Sequence, residues 1–349
     1  MPKAPAPLAL TCGDPSGVGP ELAARIAAQG NHPPVFWIGD PRHLPPGTPW
    51  QSISEPSGVA GVPTGTLPVL PQAFAAPAQP GRPDPANAAG TIAAIETAVR
   101  LTRAGDASAV VTAPINKKAL KDGAGFAFPG HTEFLAALAG GCEVVMMLAC
   151  DALRVVPATI HIPLSAVPQA LTASGLEATI RLTHDALIRD FGLQSPRIAV
   201  AGLNPHAGEG GTMGHEDRAL IAPLLDALRA KGFTLTGPLP ADTMFHAAAR
   251  ARYDAAICMY HDQALIPIKT IDFAGGVNVT LGLPFVRTSP DHGTAYDIAG
   301  QGIADPTSLR AALAMAWDMA QRRGAATGHA ITSPGTPAMN TPPQPTGPA

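Results

Sequence analysis

Short apolar runs alternate with longer amphipathic segments along most of the chain. Apolar runs predict buried strands, and segments with apolar residues every three or four positions predict helices. The predicted strands include residues 8–11, 34–40, 108–116, 196–204 and 276–282, and the predicted helices include 88–105, 176–192, 215–232 and 305–324. Regular alternation of the two is typical of an α/β protein with a largely parallel sheet. Two consecutive runs within 143–164 predict an antiparallel insertion.

Composition narrows the class of ligand. The chain has 349 residues, of which 46% are hydrophobic and 14% are charged, so it can bury a large core and suits two domains. A net charge of −3 offers no basic excess for nucleic acid or anionic lipid. A small-molecule ligand is therefore the better expectation.

Localisation is inferred from what the sequence lacks. Residues 1–8 have no apolar signal core, and no apolar run approaches the roughly 20 residues of a membrane span. The four cysteines form neither a C-x-x-C pair nor a visible disulfide framework. We therefore expect a soluble, cytoplasmic protein with no membrane and no nucleic-acid partner. The Pro-, Thr- and Gly-rich tail at 331–349 is expected to be disordered.

Polar residues that follow predicted strands are the first candidates for a site, because ligands of open α/β sheets bind beyond the carboxyl ends of the strands. Four of the eleven histidines fit that description: His131, His161, His206 and His261. Imidazole is a common metal ligand, and a catalytic metal needs about three protein ligands. Spacing alone favours separate structural roles over such a site. Asp242 and Asp262 are placed to orient ligand histidines.

The glycine-rich stretch at 202–217 suggests a phosphate-binding loop, so its spacing has to be tested. The dinucleotide fingerprint G-x-G-x-x-G requires a sixth-place glycine. Counted from Gly208, the sixth place is Met213, and the chain contains no G-x-x-x-x-G-K-[ST] sequence. This loop is therefore not the usual Rossmann cradle, and His206 becomes its most informative residue.

Three polar residues in one segment are candidates for binding an anion. Lys269 and Arg287 each follow an apolar run, and Asn278 shares a strand face with Thr280. A lysine and an arginine that converge on one pocket bind phosphate or carboxylate strongly, whereas ordinary surface charge is the alternative. The loop at 13–21, which opens a predicted helix, is either a second anion site or a tight structural turn.

Nine motifs of this chain occur together and in the same order in a known family. They are "TCGDPSGVGPEL", "VTAPINKKAL", "PGHTEFLA", "HIPL", "GLNPHAGEGGTMGHED", "GPLPADTMF", "MYHDQALIPIK", "GVNVTLGLPFVRTSPDHGTA" and the final helix. On these motifs the sequence resembles the 4-hydroxythreonine-4-phosphate dehydrogenase family of pyridoxal phosphate biosynthesis. The likeness extends over roughly residues 8–325. Ala264 and Cys12 depart from the family pattern, but neither change removes a ligand.

The resemblance implies an architecture like that of isocitrate and isopropylmalate dehydrogenases. Such proteins have two α/β/α domains with an interdomain cleft, and they form obligate homodimers. We expect a first, discontinuous domain at 1–130 plus about 275–330. A second domain with dimerisation elements is expected at about 131–274.

The resemblance also implies the residues of the site. In this family three histidines hold one divalent cation (zinc, magnesium or cobalt), and they match His161, His206 and His261 here, the first supplied by the partner subunit. Substrate contacts match His131, Thr132, Lys269, Asn278 and Arg287. The segment at 292–306 is similar to the adenosine-binding loop of isopropylmalate dehydrogenases, which makes His292, Gly293 and Thr294 candidates for binding NAD or NADP. The general base is left open between His131 and a metal-bound hydroxide, and the other catalytic candidates, Asp242 and Asp262, are expected to orient ligands.

The implied reaction oxidises the C3 hydroxyl of 4-phosphooxy-L-threonine with NAD or NADP. The resulting β-keto acid loses CO₂ and gives 3-amino-1-hydroxyacetone 1-phosphate. A related dehydrogenase acting on a phosphorylated four-carbon sugar acid, such as threonate 4-phosphate, remains an alternative. A metal-dependent hydrolase and a non-catalytic binding protein are further alternatives from other classes.

Overall fold

The computed structural model describes residues 6–327, with side chains to residue 324. The tail at 331–349, for which disorder is expected, lies outside the described residues. Within them, no helix has the length and apolar character needed to cross a membrane.

Twelve strands form one continuous sheet. The strands are β1 (Leu8–Thr11), β2 (Val35–Gly39), β3 (Trp50–Ser52), β4 (Leu67–Pro71), β5 (Val110–Thr112), β6 (Val145–Cys150), β7 (Leu153–Pro157), β8 (Arg197–Ala201), β9 (Thr234–Leu239), β10 (Ala255–Cys258), β11 (Val277–Leu281) and β12 (Arg287–Pro290). Their order across the sheet is β3-β4-β2-β1-β5-β12-β11-β6-β7-β10-β8-β9. Neighbours pair in parallel from β3 to β12 and again from β7 to β9.

The helices pack on the sheet and confirm the α/β class. They are α1 (Gly19–Gln29), α2 (Ala88–Ala104), α3 (Lys117–Ala124), α4 (His131–Leu138), α5 (Val167–Ala170), α6 (Ala173–Arg189), α7 (Ala222–Ala230), α8 (Ala247–Arg250), α9 (His261–Ile271) and α10 (Thr307–Thr327). Local sequence sets several of their ends. The Asn116 side chain caps α3 by accepting from the Ala119 N–H at 2.9 Å, and Gly105 ends α2 with a φ of 83°.

The strands at the centre of the sheet pair antiparallel. β6 pairs antiparallel with both β7 and β11, which confirms the antiparallel insertion predicted for 143–164. β11 also pairs antiparallel with β12, so Asn278 lies opposite Leu148 on one side and Ser289 on the other. These central strands join the two parallel halves of the sheet.

The core explains why apolar patterning predicted the strands well. All five residues of β2 are buried, and Phe36 and Trp37 have no exposed surface, because helices cover both faces of a parallel sheet. The sheet is continuous through the proposed boundary, and the division into 1–130 plus 275–330 and 131–274 stays a prediction.

Candidate active site

A cavity of about 850 Å³ lies over the centre of the sheet, where its two halves meet. Thr112, Asn278, Arg287 and Ser289 come from β5, β11 and β12. The cavity brings together ten of the residues marked in the sequence: His131, Thr132, His161, His261, Asp262, Lys269, Asn278, Arg287, His292 and Gly293. His206, Asp242 and Thr294 do not line it.

Arg287 is a buried cation at the start of β12, not at the end of a strand. Its side chain is 3% exposed, and it donates to Thr112 Oγ1 at 2.6 Å and to Thr280 Oγ1 at 2.9 Å. Its Nε is buried without a partner, and no carboxylate pairs with it among the described residues. Burial lowers the pKa of Arg287 to about 10, so the group stays charged at neutral pH. An uncompensated buried charge is costly unless a ligand supplies the opposite charge.

His131 is the first residue of α4 and is half-buried, with Nε2 buried and unpartnered. Its pKa lies well below the ordinary 6.5, first because burial disfavours the imidazolium and then because Arg287 and Lys117 are positively charged. The ring is therefore neutral at neutral pH and able to accept a proton.

Lys269 lies inside α9, where strand-end reasoning does not predict a ligand. Its Nζ is 2.7 Å from Asp291 Oδ2, and it also lies 5.5 Å from the centre of the Phe273 ring. Lys269 reaches the cavity, but Asp291 neutralises its charge. Sequence reasoning missed Asp291, although it directly precedes His292.

His161 and His261 are neighbours within one chain, with ring centroids 5.8 Å apart. Two hydrogen bonds join the segments that carry them: Ala158 N–H donates to the Cys258 carbonyl at 2.7 Å, and Thr159 Oγ1 donates to the Met259 carbonyl at 2.7 Å. Asp262 Oδ1 lies 2.7 Å from His261 Nδ1, which leaves Nε2 of that ring free to bind a ligand.

His206 lies on a separate, strained loop at Pro205–Gly211. Six successive residues, 206–211, have positive φ, including 52° at His206, 53° at Ala207 and 41° at Glu209. Such values are unfavourable for residues with a Cβ and cluster at functional sites. His161 shares the feature, with a φ of 54°.

A buried carboxylate holds the strained loop in place. Asp217 accepts from the backbone N–H groups of Leu203 at 2.7 Å and Asn204 at 3.1 Å, and from Asn204 Nδ2 at 2.9 Å. The glycines allow the tight backbone, while the His206 side chain remains exposed, with Glu209 Oε2 3.7 Å from Nδ1. Within residues 6–324, no three His, Cys, Asp or Glu side chains are close enough to hold a metal.

Asp242 lies outside the main cavity. It lines an adjoining open cavity of about 450 Å³ together with Asp262 and Ile266. Asp262 therefore borders both cavities, whereas Asp242 borders only the second.

The segment at 292–306 packs on the loop that precedes α1. Tyr296 Oη donates to Asp14 Oδ2 at 2.7 Å and accepts from Asn116 Nδ2 at 2.8 Å. Burial and the adjacent Asp14 raise the pKa of Tyr296 to about 12, and burial raises the pKa of Asp14. Sequence reasoning missed this network because its members are far apart in the chain.

A second set of contacts clamps the far end of the same segment. The Glu21 carboxylate accepts from the N–H groups of Gly300 at 3.0 Å and Ala304 at 3.1 Å.

The loop before α1 is a structural turn. Its N–H groups are used by the protein: Asp14 N–H donates to the Pro114 carbonyl at 2.8 Å, and Val18 N–H donates to the Thr294 carbonyl at 3.0 Å. Of the two interpretations of 13–21, the structure supports the tight turn over an anion site.

Fold and cavity together define an α/β protein with a polar cavity over the middle of its sheet, lined by three basic and three acidic side chains. Residues 40–316 match the family model described as "Pyridoxal phosphate biosynthetic protein PdxA". The chain belongs to this family.

Individual members of the family are similar to this chain over nearly its whole length. The chain is 64% identical to the 4-hydroxythreonine-4-phosphate dehydrogenase of Paracoccus denitrificans, over 91% of this chain and 98% of that one. It is 62% identical to the enzyme of the same name from Roseobacter denitrificans, over 92% and 99%. The crystal structure of 4-hydroxythreonine-4-phosphate dehydrogenase from Klebsiella pneumoniae superposes with a TM-score of 0.83 at 38% identity, over 90% of this chain and 100% of that one.

Proposed function

We propose that the protein is a metal-dependent dehydrogenase that oxidises 4-phosphooxy-L-threonine with NAD or NADP in pyridoxal phosphate biosynthesis. The ketone product then loses CO₂ to give 3-amino-1-hydroxyacetone 1-phosphate. The observation that carries the proposal is Arg287, a buried cation without a carboxylate partner on the floor of the cavity. Family membership supports the same activity.

Substrate binding is assigned to residues that meet in the cavity. Arg287 binds an anionic end of the substrate, and Asn278 accepts a hydrogen bond from it at 3.4 Å, which fixes the guanidinium plane. His131 and Thr132 open α4 beside this anion position. Lys269 binds a second polar end, with Asp291 held against it.

We assign the general base to His131. Its ring lines the cavity, so it can take the proton of a substrate hydroxyl whose own pKa a bound cation would lower. Asp262 is already bonded to His261, and Asp242 lies outside the cavity, so both fit orienting roles better.

The donor set fits a divalent cation such as zinc, magnesium or cobalt, held by His161, His206 and His261. Asp262 orients His261, and the backbone strain at His161 and His206 is that of residues kept in place for function. When bound, the cation would supply Lewis acidity that lowers the pKa of the substrate hydroxyl, and the nicotinamide would accept the hydride.

The metal site is proposed to need two copies of the chain. Within the described residues of one chain the three histidines do not come close enough together to hold a metal, and we assign His161 of each site to the partner subunit. Exposed apolar side chains lie close to the histidines, as expected of a dimer face: Ile162 and Leu164 follow His161, and Ile266 is on α9.

NAD or NADP is proposed to bind beside the segment at 292–306. His292 and Gly293 line the cavity next to the substrate residues, and Thr294 holds the turn before α1 through its carbonyl. We place the activity in the cytoplasm, which the four free cysteines fit.

The test is a turnover assay with purified protein. Reduced nicotinamide is followed with NAD or NADP, a divalent cation, and either 4-phosphooxy-L-threonine or threonate 4-phosphate. We expect reduction with the threonine phosphate and its loss when a chelator is added. A preference for threonate 4-phosphate would reassign the substrate. Phosphate release without nicotinamide reduction would identify a hydrolase, and binding without turnover would identify a non-catalytic protein.

A further inference from the structure

Lys117 reaches the cavity of about 850 Å³ but is not among the residues to which a role in substrate binding is assigned above. It is the first residue of α3, and its Nζ lies 3.5 Å from the position that a Cβ on Gly130 would occupy, directly before His131. In the part of the chain whose side chains are described, Lys117 makes no hydrogen bond or ion pair. Lys117 is exposed where it borders the cavity, and the next residue, Lys118, pairs instead with Asp122 on the same helix.

The position of Lys117 is electrostatically unfavourable for the folded protein alone. A cation in the first turn of a helix faces the positive end of the helix dipole. Lys117 and Arg287 are also both close enough to His131 for their positive charges to lower the pKa of that ring. Glu133 lies close by, with Oε2 3.4 Å from the same Gly130 Cβ position, but no ion pair joins it to Lys117 among the described residues.

The backbone that carries Lys117 is anchored beside the cavity. Asn116 caps α3 through Oδ1, and its Nδ2 donates to Tyr296 Oη at 2.8 Å. The first turn of α3 is thus tied to the segment at 292–306, and Lys117 follows directly from the cap.

The cations of the cavity fall into two groups. Lys269 is neutralised by Asp291, whereas Arg287 and Lys117 have no carboxylate partner. α4 opens next to them, and its N-cap, Gly130, provides no side chain to accept from the first N–H groups. Two unpaired cations and an uncapped helix start match the charge and the acceptor oxygens of a phosphate dianion.

We propose that Lys117 is a substrate-binding residue that, with Arg287 and the first N–H groups of α4, binds the phosphate of the substrate. The assignment rests on the proposed function in one respect, namely that the substrate carries a phosphate. It places the phosphate at the α3–α4 end of the cavity and leaves the remainder of the substrate to extend toward Lys269 and His261.

The test uses Lys117→Met with Lys118→Met as a matched control one residue away. Calorimetric titration of the metal-loaded protein, without nicotinamide, is carried out with inorganic phosphate, 4-phosphooxy-L-threonine and unphosphorylated 4-hydroxythreonine. We expect K117M to weaken both phosphate-bearing ligands by about 10- to 100-fold, as for loss of a charge-assisted contact. The affinity for 4-hydroxythreonine should stay unchanged, K118M should bind like the wild type, and Lys117→Arg should restore most of the affinity.

Three results would overturn the assignment: unchanged phosphate affinity in K117M, equal weakening of phosphorylated and unphosphorylated ligands, or the same loss in K118M. Melting curves of the three variants check that each is folded. Phosphate titration needs no turnover, so its result stands even where the wild type reduces no nicotinamide and the proposed function fails.

Discussion

The imidazole rings of His161 and His261 lie 5.8 Å apart at the ends of two adjacent parallel strands, β7 and β10. His206 follows β8, which pairs with β10 on the side opposite β7, but its loop borders neither the cavity of about 850 Å³ nor that of about 450 Å³. The resemblance implies that His161 comes from the partner, and one chain does not test this. No three potential ligands meet within the described part of one chain, which supports a metal site whose ligands come from two chains.

Mixed dimers test this division of ligands. His161→Ala and His261→Ala should each be inactive alone, but in a randomly mixed dimer one site retains both histidines. Half of the dimers then carry one intact site of two, so we expect about a quarter of wild-type activity after mixing. No recovery, with dimer exchange verified by mass spectrometry, would place His161 and His261 of one site on the same chain. The pair His206→Ala and His261→Ala, mixed in the same way, should show no recovery, because both residues of one site then belong to the same chain.

Arg287 should contribute to binding at the expense of stability. In Arg287→Met the buried charge disappears, so the free energy of unfolding should equal or exceed that of the wild type. Affinity for inorganic phosphate should fall by about 100-fold or more, because two charge-assisted donors are lost. Denaturant unfolding and calorimetry measure the two quantities. A strongly destabilised variant that still binds phosphate would contradict the role assigned to Arg287.

Asp262 should act through His261. Asp262→Asn keeps the shape of the side chain but weakens the contact to Nδ1, so affinity for cobalt or zinc should fall by about 10- to 100-fold. Asp226→Asn, which alters an exposed carboxylate paired with Arg229, serves as the control. Equal metal affinity in the two variants would rule out this orienting role.

Asp217 should maintain the strained loop that carries His206. In Asp217→Asn two backbone N–H groups lose a charged acceptor, at a cost of about 1–3 kcal/mol. We expect faster hydrogen exchange at residues 203–216 and weaker metal binding. Unchanged exchange there would show that the glycines alone hold the loop.

The depressed pKa of His131 predicts a pH effect on stability. The folded protein keeps this ring neutral below pH 6.5, where the unfolded chain takes up a proton. Between 6.5 and the lower pKa of the folded state, the free energy of unfolding therefore falls as pH falls, by up to about 1.4 kcal/mol per pH unit. His131→Gln should lose less stability than the wild type between pH 7 and 5. Parallel curves for the two proteins would contradict the shift.

Periodicity predicted the sheet well because strands buried on both faces are continuous apolar runs, as in β2. Strand-end reasoning found His161 and His261, since both directly follow buried strands. The same reasoning placed Lys269 after an apolar run, but Lys269 reaches the cavity from within the helix α9. Helical residues next to a cleft cannot be separated from solvent-facing ones without the packing.

Contacts between segments that are far apart in the chain could not be predicted from the sequence. Asp14, Asn116 and Tyr296 become neighbours only when the loops after β1, β5 and β12 meet. Lys117 looks like ordinary surface charge until the structure shows that Lys118, and not Lys117, has an acidic partner. The pairing of Lys269 with Asp291 likewise depends on α9 lying against the end of β12.

The ratio of CO₂ released to nicotinamide reduced tests most directly whether the protein is an oxidising and decarboxylating dehydrogenase. The protein is supplied with a divalent cation, NAD or NADP, and 4-phosphooxy-L-threonine labelled with ¹³C in its carboxyl group. We predict one labelled CO₂ for each reduced nicotinamide, with no phosphate released and with both signals lost on chelation. Labelled CO₂ without nicotinamide reduction, or release of inorganic phosphate in its place, would contradict the account.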